Sequence, residues 1–255
     1  MVSGSKKKVL VAGATGYIGK AVVAELLDRD YIVFAIVRKE NRLEYSDQSN
    51  LNVISLEIGE NSDWTKQLPK IDIIISCLAS RSGCERDANF VDYSLNSDLL
   101  YFALKIKLQH FILLSAICIQ KPKLAFQRAK LRFNSKLVAS GLRYSIVLPT
   151  AFFKSLSGQV NRIKNGKSFI VFGNGKRTSS LPISEIDLAK YIVKCIESEE
   201  SWNKSLPVGG PGPAVTPLDQ AKMLFEIFDK PKKIKHISPR FFDFALILLF
   251  PVSFF

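Results

Sequence analysis

One stretch limits what this chain can fold into more than any other: Val9 to Gly19, VLVAGATGYIG. The apolar run Val9, Leu10, Val11, Ala12 meets Gly13, Gly16 and Gly19, and an apolar segment with helical spacing, Ala21 to Leu27, follows at once. This order predicts strand, tight turn, helix. Such a turn brings backbone close to a pyrophosphate, and the helix N-terminus presents unspent N–H groups and partial positive charge to it. Gly13 permits the turn, Gly16 leaves room for phosphate, and Gly19 lets the helix lie against the strand. The spacing is G-x-x-G-x-x-G rather than the dehydrogenase G-x-G-x-x-G. A glycine triplet alone also fits an ordinary βα turn; its place between strand and helix favours dinucleotide binding. Gly13, Thr15, Gly16, Tyr17, Ile18 and Gly19 are therefore candidate cofactor-binding residues.

The rest of the first half repeats the strand–helix rhythm. Tyr31–Val37, Leu51–Leu56, Ile71–Cys77, His110–Ser115 and Tyr144–Leu148 read as further strands, the last stopped by Pro149. Asn89–Lys107 and Leu124–Ala139 carry apolar residues at helical spacing. Strands alternating with helices predict an α/β protein of Rossmann type, with a doubly wound parallel sheet. In such a sheet, cofactor contacts gather at the carboxyl ends of the strands, which adds Cys77, Ala79, Ser115 and Pro149. The second strand ends in Arg38 and Lys39. An acidic residue there binds the ribose hydroxyls of NAD, whereas a guanidinium accommodates the 2′-phosphate of NADP. Arg38 and Lys39 point to NADPH.

After Pro149 the rhythm changes. Thr150–Leu156 reads as an aromatic loop, Ser168–Phe172 as a short strand, Gly173-Asn174-Gly175 as a turn and Val208–Pro213 as a rigid loop. Ser184 and Thr216 have the positions of N-caps, the latter with Pro217 at the first helical site. The expected division is a core over 1–149 and a small substrate-binding lobe over 150–255, set over the carboxyl edge of the sheet.

Formal net charge is +13 in 255 residues, which suits an anionic partner, a membrane surface included. Basic residues are spread along the chain without interleaved aromatics, so nucleic acid is not expected. Cys77, Cys84, Cys118 and Cys195 lie far apart in mostly apolar settings and predict buried, reduced thiols. His110 and His236 pair with no cysteine and no second histidine, so no metal is expected. MVSGSKKK is too short and polar for a signal peptide. The apolar end, Phe241–Phe255, falls short of the ~20 residues that span a bilayer.

Short-chain dehydrogenases usually carry Tyr-x-x-x-Lys on the helix after the fifth strand. The matching stretch is Phe126-Gln127-Arg128-Ala129-Lys130. A phenyl ring donates no proton, which disfavours ordinary carbonyl–alcohol chemistry, while Lys130 keeps the place of a residue that binds the nicotinamide ribose. It is the candidate catalytic residue. With VLVAGATGYIGK, SCLASRSG, LLSAICIQKP, FQRAKLRF, YSIVLPTAFFKSLSGQV, LPISEIDLA and LPVGGPG, the chain resembles the NADPH-dependent divinyl chlorophyllide (protochlorophyllide) 8-vinyl reductases, atypical, NmrA-like short-chain dehydrogenases that themselves have Phe at this site. The likeness runs over nearly the whole chain, although family members continue some tens of residues further, which suggests a truncated C-terminus. It implies reduction of the 8-vinyl group of a Mg-tetrapyrrole to ethyl, by hydride addition to the terminal vinyl carbon. The charge then spreads into the macrocycle, so no acid on an oxygen is required. The flat apolar pigment needs an aromatic-lined cleft, and Phe152 and Phe153 are the candidates, with Lys154 a weaker one for the propionate. The pathway places such a protein in the plastid stroma or cyanobacterial cytoplasm, with peripheral contact at the thylakoid membrane. Two other readings fit the missing tyrosine: a cofactor-binding regulator or photosystem-assembly factor without catalysis, and a C=C reductase of phenylpropanoid-like molecules.

Overall fold

The computed structural model describes residues 6–38, 48–55 and 68–240. The chain divides into two units, one of Met1–Pro149 with Ser184–Val208, the other of Thr150–Ile183 with Gly209–Phe255.

In the first unit, β1 (Lys8–Ala12) leads through the glycine turn into α1 (Tyr17–Asp28), and β2 (Ile32–Val37) and β3 (Leu51–Ser55) follow. Next come β4 (Ile73–Ser76), α2 (Glu85–Ala88), a π-helical turn (Asn89–Ser94), α3 (Leu95–Lys105), β5 (His110–Leu114), α4 (Ala125–Ala139) and β6 (Tyr144–Pro149). The chain then enters the second unit with α5 (Phe153–Leu156), α6 (Val160–Lys164) and β7 (Phe169–Phe172). It returns to the first with α7 (Glu185–Lys194) and β8 (Lys204–Val208), and ends its described course in the second with α8 (Pro217–Ile227) and β9 (Ile234–Ile237).

Among the described residues the main sheet has the order β3-β2-β1-β4-β5-β6-β8, and each neighbouring pair is parallel. Parallel strands buried on both faces read as continuous apolar runs, and Val9–Ala12, Val33–Val37 and Ile73–Ile75 are all buried. Each such Val, Ile or Leu contributes about 1.5–3 kcal/mol by leaving water. Leu10, Ile74, Phe111 and Ile146 from the sheet share one core cluster with Leu99 and Phe102 of α3 and Phe133 and Leu137 of α4. Elsewhere α1 packs against α7.

The expected Rossmann-type sheet is thus present, with differences in detail. Residues 184–208, expected in the lobe, belong to the first unit together with Met1–Pro149. Apolar α7 residues Leu188, Ala189, Ile192 and Val193 are buried, and β8 extends the sheet beside β6. Strand β8 was not expected because Lys-Ser-Leu-Pro-Val lacks an apolar run, and Pro207 suits only an edge. The helix expected over Asn89–Lys107 is continuous but opens with the π-helical turn before α3, and Phe153–Leu156 is a short helix rather than loop. Cys77 and Cys195 are buried as expected, but Cys84 and Cys118 are exposed, because both sit in loops rather than in strands or packed helices.

The second unit has its own small core, Ile163, Phe169, Val171, Ala221 and Phe225, around the parallel pair β7–β9. Thr216 and Asp219 cap α8 reciprocally, with Pro217 in its first turn, and Ser184 accepts the Asp187 N–H at 3.0 Å to cap α7 in the first unit. Among the described residues no helix is long and apolar enough to cross a membrane.

Candidate active site

The site is built where β1, β4, β5 and β6 end side by side. Register pairs Ala12 with Ser76 and Ser76 with Leu113. The backbone continues the ladder one step further: Cys77 N–H donates to Ala12 O at 2.9 Å, and Ser115 N–H to Val147 O at 2.8 Å. Gly13, Cys77, Ser115 and Pro149 therefore stand along one edge, at the carboxyl ends of the strands.

The glycine turn is fixed by backbone space. Gly13 has φ +77°, and a Cβ there would lie 2.7 Å from Cys77 O; a Cβ on Gly19 would lie 2.0 Å from Gly13 O. No side chain fits at either position without moving β4 or α1. Gly16 N–H donates to Gly13 O at 3.0 Å and closes the turn. Helix α1 then begins with no side-chain cap and no acidic residue in its first turn, unlike α7 and α8. The cradle a Cβ would fill and the uncapped N-terminus fit a pyrophosphate. Thr15 and Tyr17 are half-buried on this turn, Ile18 is buried in the first turn of α1, and the Tyr17 hydroxyl donates to Glu185 at the start of α7. Arg38 is exposed immediately after β2; Lys39 lies outside the described residues.

Lys130 is not an exposed helix lysine. It is 8% exposed, and its Nζ lies 2.9 Å from Asp92 Oδ1, itself on a residue 1% exposed. A second N–H of the ammonium reaches Leu78 O at 3.4 Å. Asp92 sits on the π-helical turn and also takes a long bond from Ser80 N–H at 3.4 Å. Asn96 Nδ2 donates to the backbone O of Asp92 at 3.1 Å, and Ser76 Oγ donates to Asn96 Oδ1 at 2.6 Å. Beside this network Ser115 Oγ donates to Asn134 Oδ1 at 3.2 Å. Burial pushes the Cys77 thiol up to about 12, with the Lys130 charge opposing it, so Cys77 is an inert wall rather than a nucleophile. Phe126 is half-buried on α4, one turn before Lys130, and offers no proton. Ala79 is exposed in the loop after β4.

Asp92 and Asn96 are the site residues that sequence reasoning missed. Within an apolar helical pattern they read as ordinary polar positions; only a charged residue predicted on the inward face of the stretch could have drawn attention to Asp92. In the second unit Phe152 is half-buried, bridged to Ile183, while Phe153 is 54% exposed and its N–H donates to Ile183 O. No group of His, Cys, Asp and Glu suited to a metal occurs among the described residues.

With this geometry in place, the comparisons with known proteins decide the family. The model of the NAD(P)H-binding family matches residues 13–199, from the glycine turn to the end of α7 and beyond. The chain belongs to the NAD(P)H-binding family. Within it, the chain is 42% identical over 271 residues to the chloroplastic divinyl chlorophyllide a 8-vinyl-reductase of Cucumis sativus, covering 97% of this chain and 63% of that protein. It is 43% identical over 262 residues to the Oryza sativa protein of the same name, covering 96% and 64%. The photosystem II assembly factor Ycf39 of Synechocystis is 24% identical over 205 residues, covering 80% and 62%. The chain thus spans less than two thirds of the length of these relatives. The solved UDP-glucuronic acid 4-epimerase of Bacillus cereus, in complex with NAD, superposes with a TM-score of 0.78 at 20% identity, covering 91% of this chain and 87% of that one; it shares the fold.

Proposed function

We propose that this chain is an NADPH-dependent reductase that converts the 8-vinyl group of divinyl chlorophyllide, or of its protochlorophyllide form, to ethyl. The observation that carries the reading is identity of 41–43% with plant proteins named for this activity, over 94–97% of the chain. The site residues agree with it. The backbone at Gly13, Gly16 and Gly19 would hold the pyrophosphate, Arg38 the 2′-phosphate, and Lys130 the nicotinamide ribose, with Thr15, Tyr17, Ile18, Cys77, Ala79, Ser115 and Pro149 lining the rest. Bound NADPH would supply the hydride. The protein's part is to hold the donor in place and exclude water at the sheet edge. Phe126 in place of a phenol suits a substrate whose new charge rests on a macrocycle and not on oxygen. Phe152 and Phe153 supply aromatic surface for a flat apolar pigment, in the unit read as substrate-binding.

The basic surface suits residence beside an anionic thylakoid membrane, in plastid stroma or cyanobacterial cytoplasm. The test is direct: purified protein is incubated with NADPH and divinyl chlorophyllide, and pigments are resolved by chromatography. Appearance of the monovinyl pigment is expected. NADPH binding with no pigment reduction would favour the assembly-factor reading, which the Phe126 substitution fits equally well.

A further inference from the structure

The buried pair at the heart of the site does not look like one kept for stability. Taking two charges out of water is repaid only when the remaining lone pairs and protons are also satisfied. Here they are not. Asp92 Oδ2 is buried with no hydrogen-bond partner. The Lys130 ammonium has three donors, and among the described residues only Asp92 Oδ1 and Leu78 O take one each. One N–H remains unspent at the carboxyl end of the sheet. The carboxylate is in turn held from behind: the π-helical turn presents it, Asn96 Nδ2 grips its backbone O, and Ser76 of β4 grips Asn96. π-Helical turns inside α-helices are rare and tend to mark functional sites.

We infer that Asp92 is a positioning residue for the cofactor: anchored to β4 through Asn96 and Ser76, it fixes one donor of the Lys130 ammonium while Leu78 O takes a second, and the third is left pre-oriented for the nicotinamide ribose. The inference rests on the reading that Lys130 meets that ribose. A flexible four-carbon stem loses rotamer freedom when it binds a ligand; the pair removes that freedom before the ligand arrives.

The experiment compares two probes, NADPH and 2′,5′-ADP, by calorimetric titration. The second carries the adenosine and 2′-phosphate but no nicotinamide ribose, so it reports on the rest of the site alone. Asp92→Asn and Lys130→Met should each weaken NADPH about tenfold, the size of one charge-assisted hydrogen bond, and leave 2′,5′-ADP unchanged. The double variant should be no weaker than Lys130→Met, because Asp92 acts only through the lysine. Asp92→Glu keeps the ion pair, and with it the fold, but displaces the ammonium; a selective loss for NADPH is expected there too, and it decides the matter if Asp92→Asn does not fold. Unchanged NADPH affinity in the Asp92 variants, or equal loss for both probes, would overturn the inference. If Lys130→Met itself leaves NADPH binding intact, the ribose reading fails instead.

Discussion

The two ends of the main sheet both bury polar groups, and they do so in opposite ways. At the amino end, His110 opens β5 and its Nε2 lies 2.9 Å from Ser145 Oγ of β6, which donates to Ser201 O at 2.8 Å. Trp202 closes the group edge-on at 6.1 Å, and Arg143 stacks on that indole at 3.8 Å. Everything buried there is neutral. His110 leaves Nδ1 without a partner, but a neutral ring nitrogen is far cheaper to bury than a carboxylate oxygen. At the carboxyl end the buried groups include a charged pair, one carboxylate oxygen is unpaired, one ammonium donor is unspent, and α1 starts uncapped. The amino end is closed on itself. The carboxyl end is built with interactions left over, as a site must be that a ligand completes.

Three further measurements test this contrast. The largest effect belongs to Gly19→Ala. Its Cβ would meet Gly13 O at 2.0 Å, so α1 must leave the turn, at a cost of about 4 kcal/mol or more in urea unfolding, and NADPH binding should vanish with it. An alanine variant that folds normally and binds would show that the cradle is looser than drawn.

Acid should attack the opposite end. Burial, then the Arg143 charge, lowers His110 to about 4 from an ordinary 6.5. The unfolded chain therefore takes up the proton first. Stability from this group is complete above about pH 6.5 and is lost as pH falls towards 4, by about 3 kcal/mol in all. Unfolding of wild type and His110→Gln compared between pH 7 and pH 4 should show the slope flattened in the variant; parallel curves would assign acid sensitivity elsewhere.

The smallest effect is at Arg38→Asp. NADPH affinity should fall about tenfold, near 1.4 kcal/mol, with NADH little changed and no effect on folding at this exposed position. Equal loss for both cofactors would remove the 2′-phosphate contact.

How much was legible follows from what each residue needs. Val9–Gly19 could be read directly, because a buried parallel strand, a crowded turn and a helix start each demand particular residues in order. Ser184 and Thr216 were legible as caps for the same local reason. Strand β8 was not: Lys204–Val208 forms only because β6 offers an open edge, and its own residues are largely exposed or half-exposed. Nor was the return of 184–208 to the first unit, which depends on α7 finding α1 to pack against. Lys130 was legible by its place in a pattern, but not its burial.

Residue types a few positions apart are enough to specify the glycine cradle, the parallel sheet and the absence of a phenol at Phe126. It takes the folded chain to bring Asp92 of a π-helical turn, Ser76 of β4 and Lys130 of α4 into one buried network. Their partners lie tens of residues apart in the chain, and a carboxylate shows no periodicity that announces which amine it will meet once water is excluded.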